Sequence, residues 1–132
     1  MNKTTHKALL IVVLLAPFGA ALGLGASAET TDFSAKELRC EYLSNPMGID
    51  TRNPRLSWVL NPAGKVRRQS AYHLLVASTP QILRRDQGDL WDTSRIVSEQ
   101  TTWIAYGGKN LSSGQRVYWK VRVWSDSGKE SR

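Results

Sequence analysis

The sequence predicts an all-β fold, an antiparallel sandwich of the fibronectin type III or immunoglobulin-like kind. Several short segments alternate apolar and polar residues with a period of two, which is typical of half-buried strands. Gly, Pro and Asn residues form turn signals between these segments. Only one stretch is helical in character: Ser78 or Thr79 can cap it, Pro80 suits its first position and Gly88 can end it. A parallel sheet would need more helices than this as crossovers.

The alternation also predicts where the strands lie and which aromatic residues enter the core. The predicted strands cover residues 38–43, 56–60, 69–78, 90–96, 101–106 and 115–124. Trp58, Tyr72 and Trp119 each occupy the apolar face of their segment, so we expect all three in the core. The segment 69–78 carries apolar residues on both faces, including Leu75 and Ala77 on the second, so both faces should be covered.

The last predicted strand is the clearest, and it is followed by a turn at Asp126-Ser127-Gly128. The sequence then stops four residues after Gly128, so we expect a domain that lacks its last, closing strand and is incomplete at the C-terminus. An uncovered strand edge rich in β-branched and aromatic residues favours pairing with another chain. We therefore expect self-association through the edge of the strand 115–124.

The N-terminal residues 1–28 have the pattern of a signal peptide. Lys3 and Lys7 precede an apolar stretch over 8–24, and Ala26-Ser27-Ala28 supplies the small residues of a cleavage site. A retained transmembrane anchor is the less favoured alternative, because proline and glycines interrupt the apolar stretch. We expect export to the periplasm or the extracellular medium without a stable membrane anchor, a flexible leader over 29–36 and the sandwich domain over 37–132.

Charge and cysteine content exclude several classes of protein. The net charge of +7 falls to +5 once the two lysines of the signal are removed. The remaining basic residues are scattered, and the densest cluster, at 65–68, is shorter than a usual nucleic-acid patch. We therefore expect no nucleic-acid partner. Cys40 is the single cysteine, so there is no internal disulfide and a buried thiol is expected.

No residue pattern in the sequence predicts a catalytic, cofactor or metal site. The acidic residues Glu41, Asp50, Asp89 and Asp92 lie beside turns or strand edges, where bonds to the backbone or simple solvation are the usual roles. His73 is the only histidine after the signal, whereas a zinc site needs three or four clustered ligands. We expect this chain to have no enzymatic activity and to bind no cofactor.

Three further tryptophans are candidates for contact with a partner. Trp91, Trp103 and Trp124 do not fit the core pattern as clearly as the other two. An exposed indole can stack on the apolar face of a sugar, or it can pack against a neighbouring domain. Because a large exposed aromatic area more often marks an interface, domain packing is the favoured interpretation.

An ordered set of sequence blocks resembles the N-terminal fibronectin type III-like domain of bacterial α-L-rhamnosidases. The blocks are Leu38-Arg39-Cys40-Glu41-Tyr42-Leu43, Asn45-Pro46-Met47-Gly48-Ile49-Asp50, Pro54-Arg55-Leu56-Ser57-Trp58, residues 69–78, Gly88-Asp89-Leu90-Trp91-Asp92-Thr93 and residues 118–124. The resemblance implies a non-catalytic accessory domain of an exported glycoside hydrolase that acts on terminal α-L-rhamnose with inversion. It also implies that the catalytic barrel is absent from this sequence.

The resemblance implies two kinds of partner, the remaining domains of the full-length enzyme and rhamnose-containing glycans. Two other interpretations remain open. One is a free-standing carbohydrate-binding or surface-adhesion module, and the other is a broken gene product that folds poorly.

Overall fold

The computed structural model describes residues 33–62, 66 and 68–131, and the predicted signal peptide and the start of the leader lie outside these residues. Two antiparallel sheets enclose the core. The first sheet consists of β1 (Ser34–Cys40), β2 (Arg55–Asn61) and β6 (Ile104–Ala105). The second consists of β3 (Gln69–Ala77), β4 (Trp91–Asp92), β5 (Ile96–Val97) and β7 (Tyr118–Ser125). The predicted all-β antiparallel fold is confirmed.

The core lies between the two sheets and contains the predicted aromatic residues. Trp58 is 2% exposed, Trp119 1% and Tyr72 7%. The rings of Trp58 and Tyr72 meet edge to face with centroids 5.4 Å apart, an arrangement that suits the quadrupoles of the two rings. Cys40 is fully buried, and burial raises the pKa of its thiol to about 12. The predicted buried thiol is therefore confirmed.

Both faces of β3 are covered, as predicted. The face with Tyr72, Leu74 and Val76 points into the main core, whereas Leu75 and Ala77 pack against Leu83 of the helix α1. This helix spans Pro80–Arg84 and is capped at its start by the Thr79 hydroxyl, which accepts a hydrogen bond from the Ile82 amide at 3.3 Å. It is the only helix among the described residues, and none of them forms a helix long and apolar enough to cross a bilayer.

Several predicted boundaries are wrong because pairing with other strands decides them. The strand β1 begins at Ser34, not at residue 38, since Ser34 pairs with Asn61 across the sheet. Residues 34–36 therefore belong to the sandwich and not to the leader. The predicted strand over 90–96 is instead two short strands, β4 and β5, separated by Ser94 with a left-handed φ of 54°. Strand β6 contains only two residues of the predicted 101–106.

Gly88 does not end the helix as predicted. The helix ends at Arg84 with Arg85 as its C-cap, and Asp86 follows with a φ of 57°. Gly88 lies three residues before β4. A Cβ added to it would lie 2.2 Å from the carbonyl oxygen of Trp91. Glycine is therefore needed here for close backbone approach, which only the tertiary structure creates.

The strand β7 pairs with β3 over its length, from Tyr118 opposite Ala77 to Trp124 opposite Ala71. After the predicted turn, Glu130 forms an antiparallel bridge with Trp124. The amide of Ser131 donates to the Val123 carbonyl at 2.8 Å. The chain thus already turns back along β7, although no returning strand was predicted. Among the described residues no strand pairs with the rest of this edge, and self-association through it stays a prediction that sedimentation of the chain tests.

Candidate functional site: an exposed aromatic cluster at one end of the sandwich

The three candidate tryptophans lie in three different places. Trp91 is half-buried against the core, and its ring meets Tyr106 edge to face at 5.2 Å. Trp124 lies in β7, and the guanidinium carbon of Arg95 is 5.0 Å from the centre of its ring. Trp103 is 57% exposed and lies just before β6. The three residues do not share a site, and Trp103 is the most exposed of them.

Trp103 belongs to a cluster that we name the Tyr42–Arg55–Trp103 cluster. The rings of Tyr42 and Trp103 meet edge to face, with centroids 5.6 Å apart and planes at 80°. The guanidinium carbon of Arg55 lies 4.3 Å from the centre of the Trp103 ring and 5.4 Å from that of Tyr42. Both distances are within the range of cation–π attraction. Tyr42 is 55% exposed, so two aromatic rings face solvent around one cation.

Strand pairing in the first sheet brings these residues together. Cys40, the last residue of β1, pairs with Leu56, and Leu56 pairs with Ile104 of β6. Tyr42 follows the end of β1, Arg55 precedes Leu56 and Trp103 precedes Ile104, so the three meet at one end of the sheet. The backbone there is left-handed at Tyr42, with a φ of 66°, and at Trp103, with a φ of 62°. Such a conformation is uncommon for large side chains and persists where the surrounding structure holds it.

Glu41 holds Arg55 in place. The guanidinium donates through Nε to both carboxylate oxygens at 3.2 Å and through Nη2 to Oε2 at 2.8 Å, and the Arg55 amide donates to Oε1. The hydrogen bond from the Arg55 side chain holds the pKa of Glu41 below its usual value, and the same bond raises the pKa of Arg55. The pair keeps its charge at neutral pH. Both carboxylate oxygens of Glu41 accept from Arg55, which uses its Nε and Nη2 groups for these bonds.

The surroundings of the cluster are shallow and mixed in polarity, since Leu56, Ser57 and Thr102 also line the adjoining cavity. The cavity beside Glu41, Tyr42, Arg55 and Trp103 has a volume of about 10 Å³, which is room for about one water molecule. The loop that follows Tyr42 also exposes aliphatic side chains: Leu43 is 57% and Met47 79% exposed. The site is therefore an open surface, on which aromatic and aliphatic groups lie beside the Glu41–Arg55 ion pair, and not a pocket.

A second group of side chains forms ion pairs on the outer face of the second sheet. Asp86, just after α1, accepts from Lys120 and lies 3.2 Å from Arg122, which also bonds Glu130 at 3.0 Å. The hydrogen bond from Lys120 lowers the pKa of Asp86. These contacts tie the end of the helix to β7. They are largely exposed, and such pairs contribute little to stability.

Two more of the candidate acids, Asp89 and Asp92, have structural roles. Asp89 accepts from the amide and the hydroxyl of Ser78 at 2.8 and 2.6 Å. Burial raises the pKa of Asp89, but these bonds outweigh it and the net shift is downward. Asp92 accepts from the Ser94 amide at 2.8 Å, which lowers its pKa, and lies 2.7 Å from His73. In the part of the chain that the structure describes, no three His, Cys, Asp or Glu residues are placed to hold a metal.

Sequence reasoning found Trp103 but missed Tyr42 and Arg55. Tyr42 was assigned to the first predicted strand, whereas the structure places it in the turn that follows β1. The available signal was an aromatic residue just before the turn residues Asn45-Pro46, next to an acid. That signal does not reveal Arg55 as the residue that joins Tyr42 to Trp103, because the three meet only through strand pairing.

The sequence matches a known domain family over most of its length. Residues 35–132 match the family model described as Rha78A-like, N-terminal immunoglobulin domain. The chain belongs to this family. The predicted resemblance to the N-terminal domain of α-L-rhamnosidases is thereby confirmed, and the family description agrees with the two-sheet structure.

Two relatives of this Rha78A-like N-terminal domain are α-L-rhamnosidases. An α-L-rhamnosidase of Formosa agariphila is 41% identical over 88 residues, which cover 67% of this chain and 9% of the relative. An α-L-rhamnosidase of Streptomyces avermitilis is 41% identical over 88 residues, 67% of this chain and 8% of the relative. The chain thus spans less than a tenth of the length of these relatives.

Two solved α-L-rhamnosidase structures contain a region similar to this chain. The α-L-rhamnosidase from Dictyoglumus thermophilum superposes with a TM-score of 0.72 at 37% identity, over 75% of this chain and 11% of that one. The Streptomyces avermitilis α-L-rhamnosidase complexed with L-rhamnose gives a TM-score of 0.70 at 37% identity, over 76% of this chain and 10% of that one. In each comparison the similar region is one small part of a much longer protein.

Proposed function

We propose that this Rha78A-like domain is the non-catalytic, N-terminal accessory domain of an exported α-L-rhamnosidase. The match of residues 35–132 to the family, together with α-L-rhamnosidases as relatives, carries the proposal. Hydrolysis of terminal α-L-rhamnose, with inversion, would take place in another part of the enzyme. The domain would brace that part, and its main partners would be the remaining domains of the same polypeptide.

The acids of the domain support a non-catalytic role. A glycosidase needs two carboxyl groups across a cleft, one of which is kept protonated by a raised pKa. In Glu41, Asp89 and Asp92 the pKa is instead lowered, by Arg55, by Ser78 and by Ser94 respectively. Each of these carboxylates accepts hydrogen bonds that favour its charged form, which is the opposite of what a general acid requires.

A free-standing carbohydrate-binding module is a second candidate, favoured by the exposed ring of Trp103. Rhamnose-containing glycans would be the ligands on that proposal. A sugar site also needs polar groups that converge on the ligand. At the Tyr42–Arg55–Trp103 cluster the charged groups, Glu41 and Arg55, are bonded to each other. The accessory role is therefore better supported.

The proposed function predicts that the isolated chain has no rhamnosidase activity but can replace its counterpart in a full-length enzyme. The test joins residues 33–132 to the Streptomyces avermitilis α-L-rhamnosidase in place of the similar N-terminal region. We expect no hydrolysis of an aryl α-L-rhamnoside by the 132-residue chain. We expect turnover by the chimera within about threefold of the parent, which is a difference of ~0.7 kcal/mol in activation free energy.

The control is the same rhamnosidase with its N-terminal region deleted and not replaced. We expect it to be less soluble or less stable than the chimera, because a bracing domain is missing. Turnover by the isolated chain that disappears in an Asp89→Asn or Asp92→Asn variant would contradict the proposal. So would a chimera that is no more stable or active than the deletion.

Export is also part of the proposal. The Ala26-Ser27-Ala28 pattern favours cleavage after Ala28. Mass spectrometry of the protein recovered from the periplasm or the medium is therefore expected to find Glu29 as the first residue. Recovery of chains that still carry residues 1–28 would favour a retained anchor instead.

A further inference from the structure

We infer that the Tyr42–Arg55–Trp103 cluster is the surface on which another domain of the same polypeptide docks. The inference rests on the proposed function and adds the site of contact to it. The occupant is a mainly apolar protein surface that covers both rings and the neighbouring aliphatic side chains. Neither the family match nor the named relatives assign a role to these residues.

The composition of the cluster is that of an interface centre. Trp, Tyr and Arg are the residue types enriched among the side chains that contribute most to protein–protein binding. Here one of each lies in mutual contact, with both rings more than half exposed. Leu43 and Met47, on the loop that follows Tyr42, are exposed as well. Such an area on a small domain marks an interaction site.

The cluster is also preorganised. Arg55 is fixed by three side-chain hydrogen bonds to Glu41, and the backbone at Tyr42 is held by two bonds of 2.9 Å between Cys40 and Leu43. A partner that binds there does not have to order these groups, so less of the binding free energy is lost to entropy. The charge of Arg55 is already balanced by Glu41, so covering it does not bury an unpaired charge.

The direction of the chain favours a domain of the same polypeptide as the occupant. Glu130 and Ser131 run antiparallel to β7, from Trp124 towards Tyr118. The Tyr118 end of β7 lies on the same side of the sandwich as the start of β2. The chain therefore heads along the sandwich towards the end that carries the cluster.

Hydrogen bonds establish which ends of the two sheets lie together. The amide of Tyr106 donates to Pro54, next to the cluster, and its hydroxyl bonds the Leu90 carbonyl at 3.4 Å. The amide of Leu90 donates in turn to Val76, and Val76 pairs with Trp119 of β7. In the relatives, about nine tenths of the protein lies outside the similar region, which supplies a large partner.

Two other occupants are less favoured. A saccharide site is a cleft in which polar groups converge on the ligand, whereas the carboxylate of Glu41 is occupied by Arg55 and the adjoining cavity measures only about 10 Å³. A second copy of this chain would have to bring a matching surface by symmetry, and the exposed edge of β7 offers copies a different contact.

Amide hydrogen exchange in the active chimera described above tests the inference. We expect exchange at residues 41–45 and 101–104 to be about tenfold slower or more in the chimera than in the 132-residue chain, which corresponds to a tenfold change in an equilibrium constant. The double variant Tyr42→Ala, Trp103→Ala should abolish this protection in the chimera. Trp124→Ala, on the outer face of the second sheet, is the matched aromatic control and should leave it unchanged.

Four outcomes would overturn the inference. An active chimera with no protection at these amides would show that the domain joins the enzyme through another surface, and an effect confined to Trp124→Ala would place that surface on the second sheet. Protection of the isolated chain by L-rhamnose would make the cluster a sugar site. Protection that grows with the concentration of the isolated chain would make it a contact between copies. An inactive chimera would instead count against the proposed function.

Discussion

The Trp58→Ala variant is expected to lose about 3–5 kcal/mol of unfolding free energy, as large-to-small aromatic changes in cores do. Trp58 is 2% exposed and packs edge to face on Tyr72. Removing the indole leaves a cavity between the two sheets and also leaves the side-chain carbonyl of Gln69 without its donor. Urea unfolding of the 132-residue chain measures the loss. Because small domains are stable by only about 5–15 kcal/mol, the variant can be largely unfolded.

Two further variants make this result interpretable. Trp103→Ala removes the same side chain from an exposed position, and we expect a loss of about 1 kcal/mol or less, the size of an exposed cation–π contact. Trp58→Phe keeps a ring in the core and should give an intermediate loss with a measurable transition. If Trp58→Ala unfolds at the same urea concentration as Trp103→Ala, Trp58 is not part of the core.

The second large effect is expected at Gln69, a polar residue that is only 1% exposed. Its carbonyl oxygen accepts from Trp58 Nε1 at 2.9 Å, and its amide donates to the backbone carbonyls of Ser98 and Gln100 at 3.0 and 2.9 Å. Gln69→Leu keeps the volume but leaves these groups without partners. We expect a loss of about 2–4 kcal/mol, since an unpaired buried polar group costs about 1–3 kcal/mol.

A double-mutant cycle separates the indole bond from the two backbone bonds. Trp58→Phe removes the N–H donor, so Gln69→Leu should cost at least about 1 kcal/mol less in that background than in the parent. Equal losses in both backgrounds would show that the bonds to the 98–100 loop alone account for the effect.

The sequence by itself was sufficient for the fold class and the core. Residues two apart in a strand share a face, so the alternation in 56–60 and 115–124 placed Trp58 and Trp119 inside without any knowledge of their neighbours. The helix start was equally local, because Thr79 and Pro80 suit the cap and the first position whatever lies around them. The ordered blocks carried the family, which the match over residues 35–132 confirms.

Only the tertiary structure decided the strand ends and the surface cluster. β1 starts at Ser34 because Asn61 is opposite it, and Gly88 is needed because the backbone of Trp91 passes close by. Tyr42 and Trp103 are far apart in the sequence and meet because β2 pairs with β1 on one side and β6 on the other. Local periodicity reports which face a residue occupies, whereas contacts between loops depend on pairing between distant segments, which no local pattern encodes.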